Sequence, residues 1–355
     1  MKKYILEYGT HDEAIALLGR EIPHEHLEHV KTIILDLFDD EYIAIKEAGY
    51  TIFENVYEDL DPLAFPANLP SYRSYPTSPN YINDYLKIPQ ARTAGFDGSG
   101  VSVALLGTGC LDASLPFASA SIIRLDFSGV GLDYDPYNHD SKGCVIGTQR
   151  KSFFSTLAVT EGIAQGCQLY SMSCFYGGSA AYIAGINYAI ANNIDIISTS
   201  IRGLGTTIDT AIAAAIEAGI IVVCAAGNTL GDTIVEHGLI PGSITVNGVP
   251  YNNALVPFGS YLTDNGHVGI TVTFHAEGHY EFRTGGTSQT SFHIAFLMAI
   301  YKQKYPSLTS KQAVHLLKRR ALKMDTFTYD KVSSTKTRGV KEDYKTGAGF
   351  VAPLY

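Results

Sequence analysis

The sequence has little positive charge and no long hydrophobic run. Its 26 lysine and arginine residues are outnumbered by 35 aspartate and glutamate residues, so the formal net charge at pH 7 is -9. No stripe of basic residues interrupts this acidity, and we therefore expect no nucleic-acid partner. No segment approaches the roughly 20 consecutive apolar residues that a membrane-spanning helix requires, so we expect no membrane partner either.

Cysteine is also scarce, and the N-terminal residues lack an apolar run of signal-peptide length. The five cysteines are odd in number and lie mostly inside apolar runs, which predicts reduced core thiols. They are Cys110, Cys144, Cys167, Cys174 and Cys224. These features lead us to expect a cytoplasmic protein.

Three stretches of the chain differ in their residue pattern. Residues 1–60 alternate predicted strands with predicted helices, which is typical of a small α+β domain. Residues 61–84 are rich in proline and tyrosine and predict an extended linker. Residues 85–355 alternate β-branched runs with helical segments, which predicts an α/β domain with a mostly parallel sheet. In such sheets ligands bind at the carboxyl ends of the strands.

A Gly-Thr-Ser turn at residues 286–288 opens a predicted helix. The hydroxyl of Ser288 would therefore lie at a helix N-terminus, where the dipole and free N–H groups favour developing negative charge. The alternative is that Ser288 only caps the helix. Asn228 ends an Ala-Ala-Gly-Asn segment, where its amide could stabilise an oxyanion or simply occupy a turn.

These two segments resemble the serine motif and the oxyanion motif of the subtilisin-like serine proteases (subtilases, peptidase family S8). Four other segments resemble further motifs of that family in the same order: residues 98–106, 162–170, 195–203 and 347–352. The resemblance covers about residues 85–355 and implies a three-layer fold with a mostly parallel central sheet. Residues 1–60 resemble the family's propeptide, which acts as a folding chaperone and inhibitor.

The sequence departs from the family at two members of the catalytic triad. The family's aspartate corresponds to Gly107, and its histidine corresponds to Ser141. A serine hydroxyl is a weak nucleophile without a neighbouring base, so the resemblance implies an impaired enzyme. Four residues correspond to the substrate-lining edge: Ser200, Ile201, Arg202 and Gly203. The Arg202 side chain could narrow the groove, attract an acidic ligand or lie solvated at the rim.

His139, two residues before Ser141, is a candidate replacement base. An offset of two residues at the start of a helix moves a side chain and turns it, so we expect His139 to point away from Ser288. Cys144 has no evident charged partner in the sequence, which favours a core thiol over a nucleophile.

Three acidic residues in one loop region raise the question of calcium, which many subtilases bind: Asp133, Asp135 and Asp140. Their spacing does not match an EF-hand loop. No other group has the spacing of metal ligands, so we expect no metal cofactor.

Two functions remain open on this basis. The first is a pseudoprotease with a binding or regulatory role, in which the groove holds the chain's own N-terminal domain and linker or a peptide or protein partner. Residues 1–60 would then stay attached, because self-cleavage needs the lost chemistry. The second is a serine endopeptidase that uses Ser288 with a non-standard base. The presence of Ser288 does not separate them, because a serine here also caps the helix.

Overall fold

A computed structural model describes most of the chain. The described residues are 2–7, 16–20, 22, 24–27, 32–54, 81–111, 122–136, 139–149, 161–200, 205–227, 240–249, 271–275, 287–322, 331–332, 341–342, 347–349 and 351–354. The predicted linker therefore lies outside them, except for residues 81–84.

The N-terminal residues form a four-stranded antiparallel sheet with one helix. The elements are β1 (Lys2–Glu7), β2 (His24–Leu27), β3 (Thr32–Leu37), α1 (Asp39–Glu47) and β4 (Ile52–Glu54), and the strand order is β2-β3-β1-β4. Strand β2 was not predicted from the sequence, because a four-residue strand containing two histidines and a glutamate has no clear apolar alternation.

Both faces of this small sheet are buried. Tyr4 and Leu6 of β1 pack with Ile45 of α1 in one apolar cluster. Ile5 and Ile34 point to the other face, because successive side chains of a strand alternate between faces. They join the core of the larger unit, which explains why β1 is apolar at three consecutive positions.

The larger unit is built on a seven-stranded sheet in which every pairing is parallel. Its strands are β5 (Ser102–Gly107), β6 (Ile122–Asp126), β7 (Gln168–Ser173), β8 (Ile196–Thr199), β9 (Ile221–Ala225), β10 (Ile244–Val249) and β11 (Thr271–His275), in the order β11-β10-β9-β8-β5-β7-β6. The helices are α2 (Tyr81–Leu86), α3 (Ile88–Thr93), α4 (His139–Thr148), α5 (Gly178–Ala191), α6 (Asp209–Glu217), α7 (Thr287–Lys304) and α8 (Ser310–Arg320). The other two strands, β12 (Lys331–Val332) and β13 (Lys341–Glu342), form a short antiparallel pair. Two 3₁₀ helices lie at Phe175–Gly177 and Gly205–Ile208.

Helices cover both faces of this sheet and make three layers. Val103 and Leu105 of β5 pack into the core formed with α4, α7 and α8. Ala104 and Leu106 point to the opposite face, into the core formed with α5 and α6. A strand buried on both faces is apolar at successive positions, and this is the pattern that predicted a parallel sheet. The α/β fold class is therefore confirmed, while the division into three domains stays a prediction.

Two compositional expectations can be compared with the structure. All five cysteines are buried and none of them forms a disulfide bond, as predicted. Within the described ranges no helix combines the length and apolar character needed to cross a membrane.

Candidate functional site

The site predicted from the sequence lies where three strands end beside the start of a helix. Strands β5, β8 and β9 are neighbours, and their parallel register brings Leu106, Thr199 and Cys224 into line. Helix α7 begins at this edge, because the Gly227 N–H donates a 3.1 Å hydrogen bond to the Thr287 hydroxyl. Residue 288 is thus held next to the carboxyl ends of the central strands.

Ser288 is fully buried in the first turn of α7. Its Oγ has no hydrogen-bond partner among the residues that the structure describes. Its carbonyl oxygen accepts a 2.7 Å hydrogen bond from the Ser291 hydroxyl, which also lies 2.8 Å from the hydroxyl of Ser200. Ser200, predicted to line the groove, therefore has its side chain turned to α7. The other predicted site residues, Asn228, Ile201, Arg202 and Gly203, lie outside the described residues.

Ser141, at the family's histidine position, is held in a structural hydrogen-bond network. Its Oγ donates to Asp135 Oδ2 at 2.8 Å and accepts a bond from the Leu111 N–H at 3.0 Å. The same Asp135 carboxylate accepts bonds from the N–H groups of Ser141 and His139. Asp135 thereby satisfies two N–H groups in the first turn of α4, and Ser141 carries no group that could act as a base.

Gly107, at the family's aspartate position, has its side-chain space filled by a carboxylate from another element. A Cβ built on Gly107 would lie only 2.5 Å from Oδ1 and 2.6 Å from Oδ2 of Asp140. The Asp140 Oδ2 also accepts a 3.2 Å bond from the Gly109 N–H, and the Asp140 N–H donates to Thr108. A carboxylate therefore lies at the end of β5, although it comes from α4.

His139 contacts this carboxylate directly. Its Nδ1 lies 2.7 Å from Asp140 Oδ1, and the imidazole is mostly buried. Burial raises the pKa of the Asp140 carboxyl, while the hydrogen bond and charge of His139 and the bond from the Gly109 N–H oppose that rise. The imidazole also packs edge-on against Phe292, with ring centroids 5.5 Å apart.

Phe292 brings His139 into contact with the helix that carries Ser288. Residues four apart lie on the same helix face, separated by about 6 Å along the axis. His139 therefore contacts the serine helix through Phe292 and forms no hydrogen bond to Ser288 within the described residues, so the expectation that it points away from Ser288 stays a prediction.

The remaining candidates occupy structural positions. A hydrogen bond with the Cys110 thiol, together with burial, raises the pKa of Cys144, which favours the neutral thiol. Asp133 forms an ion pair with Arg124. Across the described ranges no three His, Cys, Asp or Glu side chains are grouped so that they could hold a metal ion.

Comparisons with known proteins agree with the motifs. The sequence profile of the Subtilase family (peptidase S8) matches residues 98–349. A thermostable alkaline protease of Halalkalibacterium halodurans is 30% identical over 239 residues, which are 64% of this chain and 64% of that protein. Subtilisin NAT of Bacillus subtilis subsp. natto is 28% identical over 284 residues, which are 76% of this chain and 73% of that protein.

Solved structures show the same fold. Fervidolysin from Fervidobacterium pennivorans, a keratinolytic enzyme related to subtilisin, superposes with a TM-score of 0.67 at 18% identity, covering 99% of this chain and 60% of its own. MycP1 from Mycobacterium smegmatis superposes with a TM-score of 0.59 at 21% identity, covering 79% of this chain and 85% of its own. This chain therefore spans less than two thirds of both the alkaline protease and fervidolysin.

Proposed function

Because this chain belongs to the subtilase family, we propose that it is a catalytically impaired member with a binding or regulatory role. The observation that carries the proposal is the state of the two triad positions. Gly107 has no side chain, and the Ser141 hydroxyl is committed to Asp135 and Leu111. Loss of the base in a serine-protease triad lowers kcat by about 10⁶-fold, so general proteolysis at family rates is not expected.

The binding role follows from the parts that remain. The carboxyl ends of β5, β8 and β9 still meet the N-terminus of α7, which is where parallel α/β sheets bind ligands. The N-terminal sheet packs on α5 through Ile5 and Ile34. We propose that the linker, or a partner peptide, occupies the groove by strand addition, and that the N-terminal unit stays covalently attached.

Mass spectrometry of the purified full chain tests this proposal. We expect a single mass that corresponds to the uncut chain, both for the unmodified protein and for the Ser288→Ala variant. A cut between residues 57 and 85 in the unmodified chain that is absent from Ser288→Ala would overturn it, because only an active site at Ser288 produces that difference.

A second candidate, a serine endopeptidase with a non-standard base, is favoured by one observation. The His139 imidazole contacts a buried carboxylate at the position of the missing acid. A fluorogenic peptide hydrolysed by the full chain but not by its Ser288→Ala variant would support this candidate. If the full chain does not hydrolyse the peptide under the same conditions, the catalytically impaired protein is favoured.

A further inference from the structure

We propose that His139 and Asp140 form a displaced base and acid pair that gives Ser288 residual reactivity in acyl transfer. The proposal deepens the second candidate function above and rests on it, because it names the groups that would act on the serine. Three features of the structure carry it.

The first feature is the carboxylate at Gly107. A side chain at residue 107 could not coexist with the observed Asp140 carboxylate, since its Cβ would overlap both oxygens. Asp140 comes from the first turn of α4 and is 1% exposed, yet it fills the volume in which the family's aspartate begins. A carboxylate therefore lies at the end of β5, where the family has its acid, but it belongs to a residue of α4.

The second feature is the tautomer that this carboxylate selects in His139. When Nδ1 is protonated it donates to Asp140 Oδ1 at 2.7 Å, and Nε2 is left as the basic nitrogen. An imidazole oriented in this way by a buried carboxylate is the arrangement that serine hydrolases use for their general base. Asp140 thus acts as a positioning residue for His139.

The third feature is the nucleophile itself. Ser288 Oγ is buried and has no hydrogen-bond partner among the described residues, which is costly for a polar atom. The His139 ring packs on Phe292, one helical turn away on the same face of α7. An imidazole that approaches along Phe292 would supply the missing partner, since catalytic hydrogen bonds often form only when substrate is bound.

The chemical step needs no additional reagent. The Ser288 Oγ forms a bond to the acyl carbon or phosphorus of the substrate while its proton passes to His139 Nε2. An amine or alkoxide leaving group departs with its electron pair and takes that proton, whereas fluoride departs as the anion and His139 then releases the proton to water. For an ester or peptide, water then attacks the acyl carbon while His139 accepts the water's proton, and His139 returns that proton to Ser288 Oγ as the acyl–oxygen bond breaks, which regenerates Ser288.

Labelling of the full chain with diisopropyl fluorophosphate, followed by intact mass and peptide mapping, tests the proposal. We expect stoichiometric modification of Ser288, no modification of Ser288→Ala, and a rate about 10²-fold lower in His139→Ala. Imidazole added to His139→Gly should restore part of the rate, because 18% of the His139 side chain is accessible to solvent. His24→Ala, a matched change on β2, should leave the rate unchanged.

The positioning role of Asp140 is tested by removing its carboxylate from α4 and then supplying a carboxylate from β5. Asp140→Ala should lower the labelling rate about tenfold or more, because the imidazole loses its orientation. Combining it with Gly107→Asp returns a carboxylate to the same volume from β5, and we expect the rate to recover. Gly107→Ala alone should slow labelling by displacing the Asp140 carboxylate, and should have no further effect when Asp140 is already alanine.

Thermal unfolding of each variant separates loss of the pair from loss of the fold. Absence of labelling in the unmodified chain, or a rate that His139→Ala leaves unchanged in a folded variant, would overturn the proposal. That result would not contradict the proposed function of an impaired, uncut protein. Self-cleavage at the linker would contradict that proposed function, but it would not contradict the proposal that His139 and Asp140 act on Ser288.

Discussion

A buried carboxylate is the residue-scale feature that most distinguishes this site. Asp140 has lost its hydration and keeps few partners: the His139 imidazole and the N–H of Gly109. Burial of an ionised group costs free energy unless hydrogen bonds compensate it, and here they compensate incompletely, since the pKa of Asp140 is raised. The ionised Asp140 carboxylate therefore lowers the stability of the folded protein at neutral pH.

Asp140→Asn should remove this pH-dependent cost. The folded protein binds the Asp140 proton more tightly than the unfolded chain, so the wild-type stability falls as pH rises from the ordinary aspartate pKa through the raised one. Asparagine does not titrate. The free energy of unfolding of the variant relative to wild type should thus increase with pH, by at most about 1.4 kcal/mol per pH unit, in urea titrations.

Asp126→Asn is the control for this experiment and should show the opposite slope. Burial by itself would raise the pKa of Asp126. Hydrogen bonds from the hydroxyl of Ser128 and from the N–H groups of Gly131, Ser128 and Gly129 outweigh burial, so the pKa of Asp126 is lowered. Its contribution to stability is present above the ordinary aspartate pKa and is lost as pH falls. A difference for Asp140→Asn that stays constant across the acid range would contradict the assignment.

Close contact between two helices is the element-scale feature that holds the pair in place. Glycines at residues 143 and 147 lie on one face of α4, and side chains of α7 fill the space above them. A Cβ on Gly147 would overlap the ring of Phe296, and one on Gly143 would lie 3.0 Å from the ring of Phe292. The close approach of α4 to α7 therefore depends on glycine at both positions. This approach brings His139 to the helix that carries Ser288.

Gly147→Ala should destabilise the protein by about 1–3 kcal/mol, because the methyl group overpacks the α4–α7 interface. The gain in helix propensity, about 1 kcal/mol, offsets this only in part. Gly185→Ala on α5 is the matched control, since its nearest contact would be the Cys174 sulfur at 3.0 Å. Equal unfolding midpoints for the two variants in urea would show that the α4–α7 interface is not tightly packed.

At the scale of the whole molecule, the N-terminal sheet and the larger unit share one apolar core. Ile5, Leu27 and Ile34 lie in the cluster that α5 and α6 build on the parallel sheet. Separation of the two units would expose these side chains to water, at a cost of roughly 25 cal/mol for each Å² of apolar surface. The shared core thus favours unfolding of both units together.

Ile34→Ala should lower the free energy of unfolding by about 2–5 kcal/mol, although the residue lies in the small unit. We expect a single transition in urea for both far-UV circular dichroism and exposure of Cys174, which is buried in the shared core. Ile43→Ala on α1, where the side chain is half exposed, should change stability by less than about 0.5 kcal/mol. Two separate transitions in the unmodified chain would contradict a shared core.

Much of the architecture was predictable because it follows from local patterns. Continuous apolar runs such as β5 predict strands covered on both faces, and the order of the motifs predicts the subtilase fold. The Gly-Thr-Ser turn likewise predicts that Ser288 opens a helix, and α7 begins at Thr287. These features depend on residues that are neighbours in the chain, so the sequence alone determines them.

Only the tertiary structure decided that a histidine and a carboxylate meet at the end of β5. Neighbouring residues on a helix point about 100° apart, so nothing in the His139-Asp140 dipeptide predicts that the two side chains meet. They meet because Gly107, on a different element, leaves a space that the Asp140 carboxylate enters. Such a space is a property of the packing between β5 and α4, and it exists only once the chain has folded.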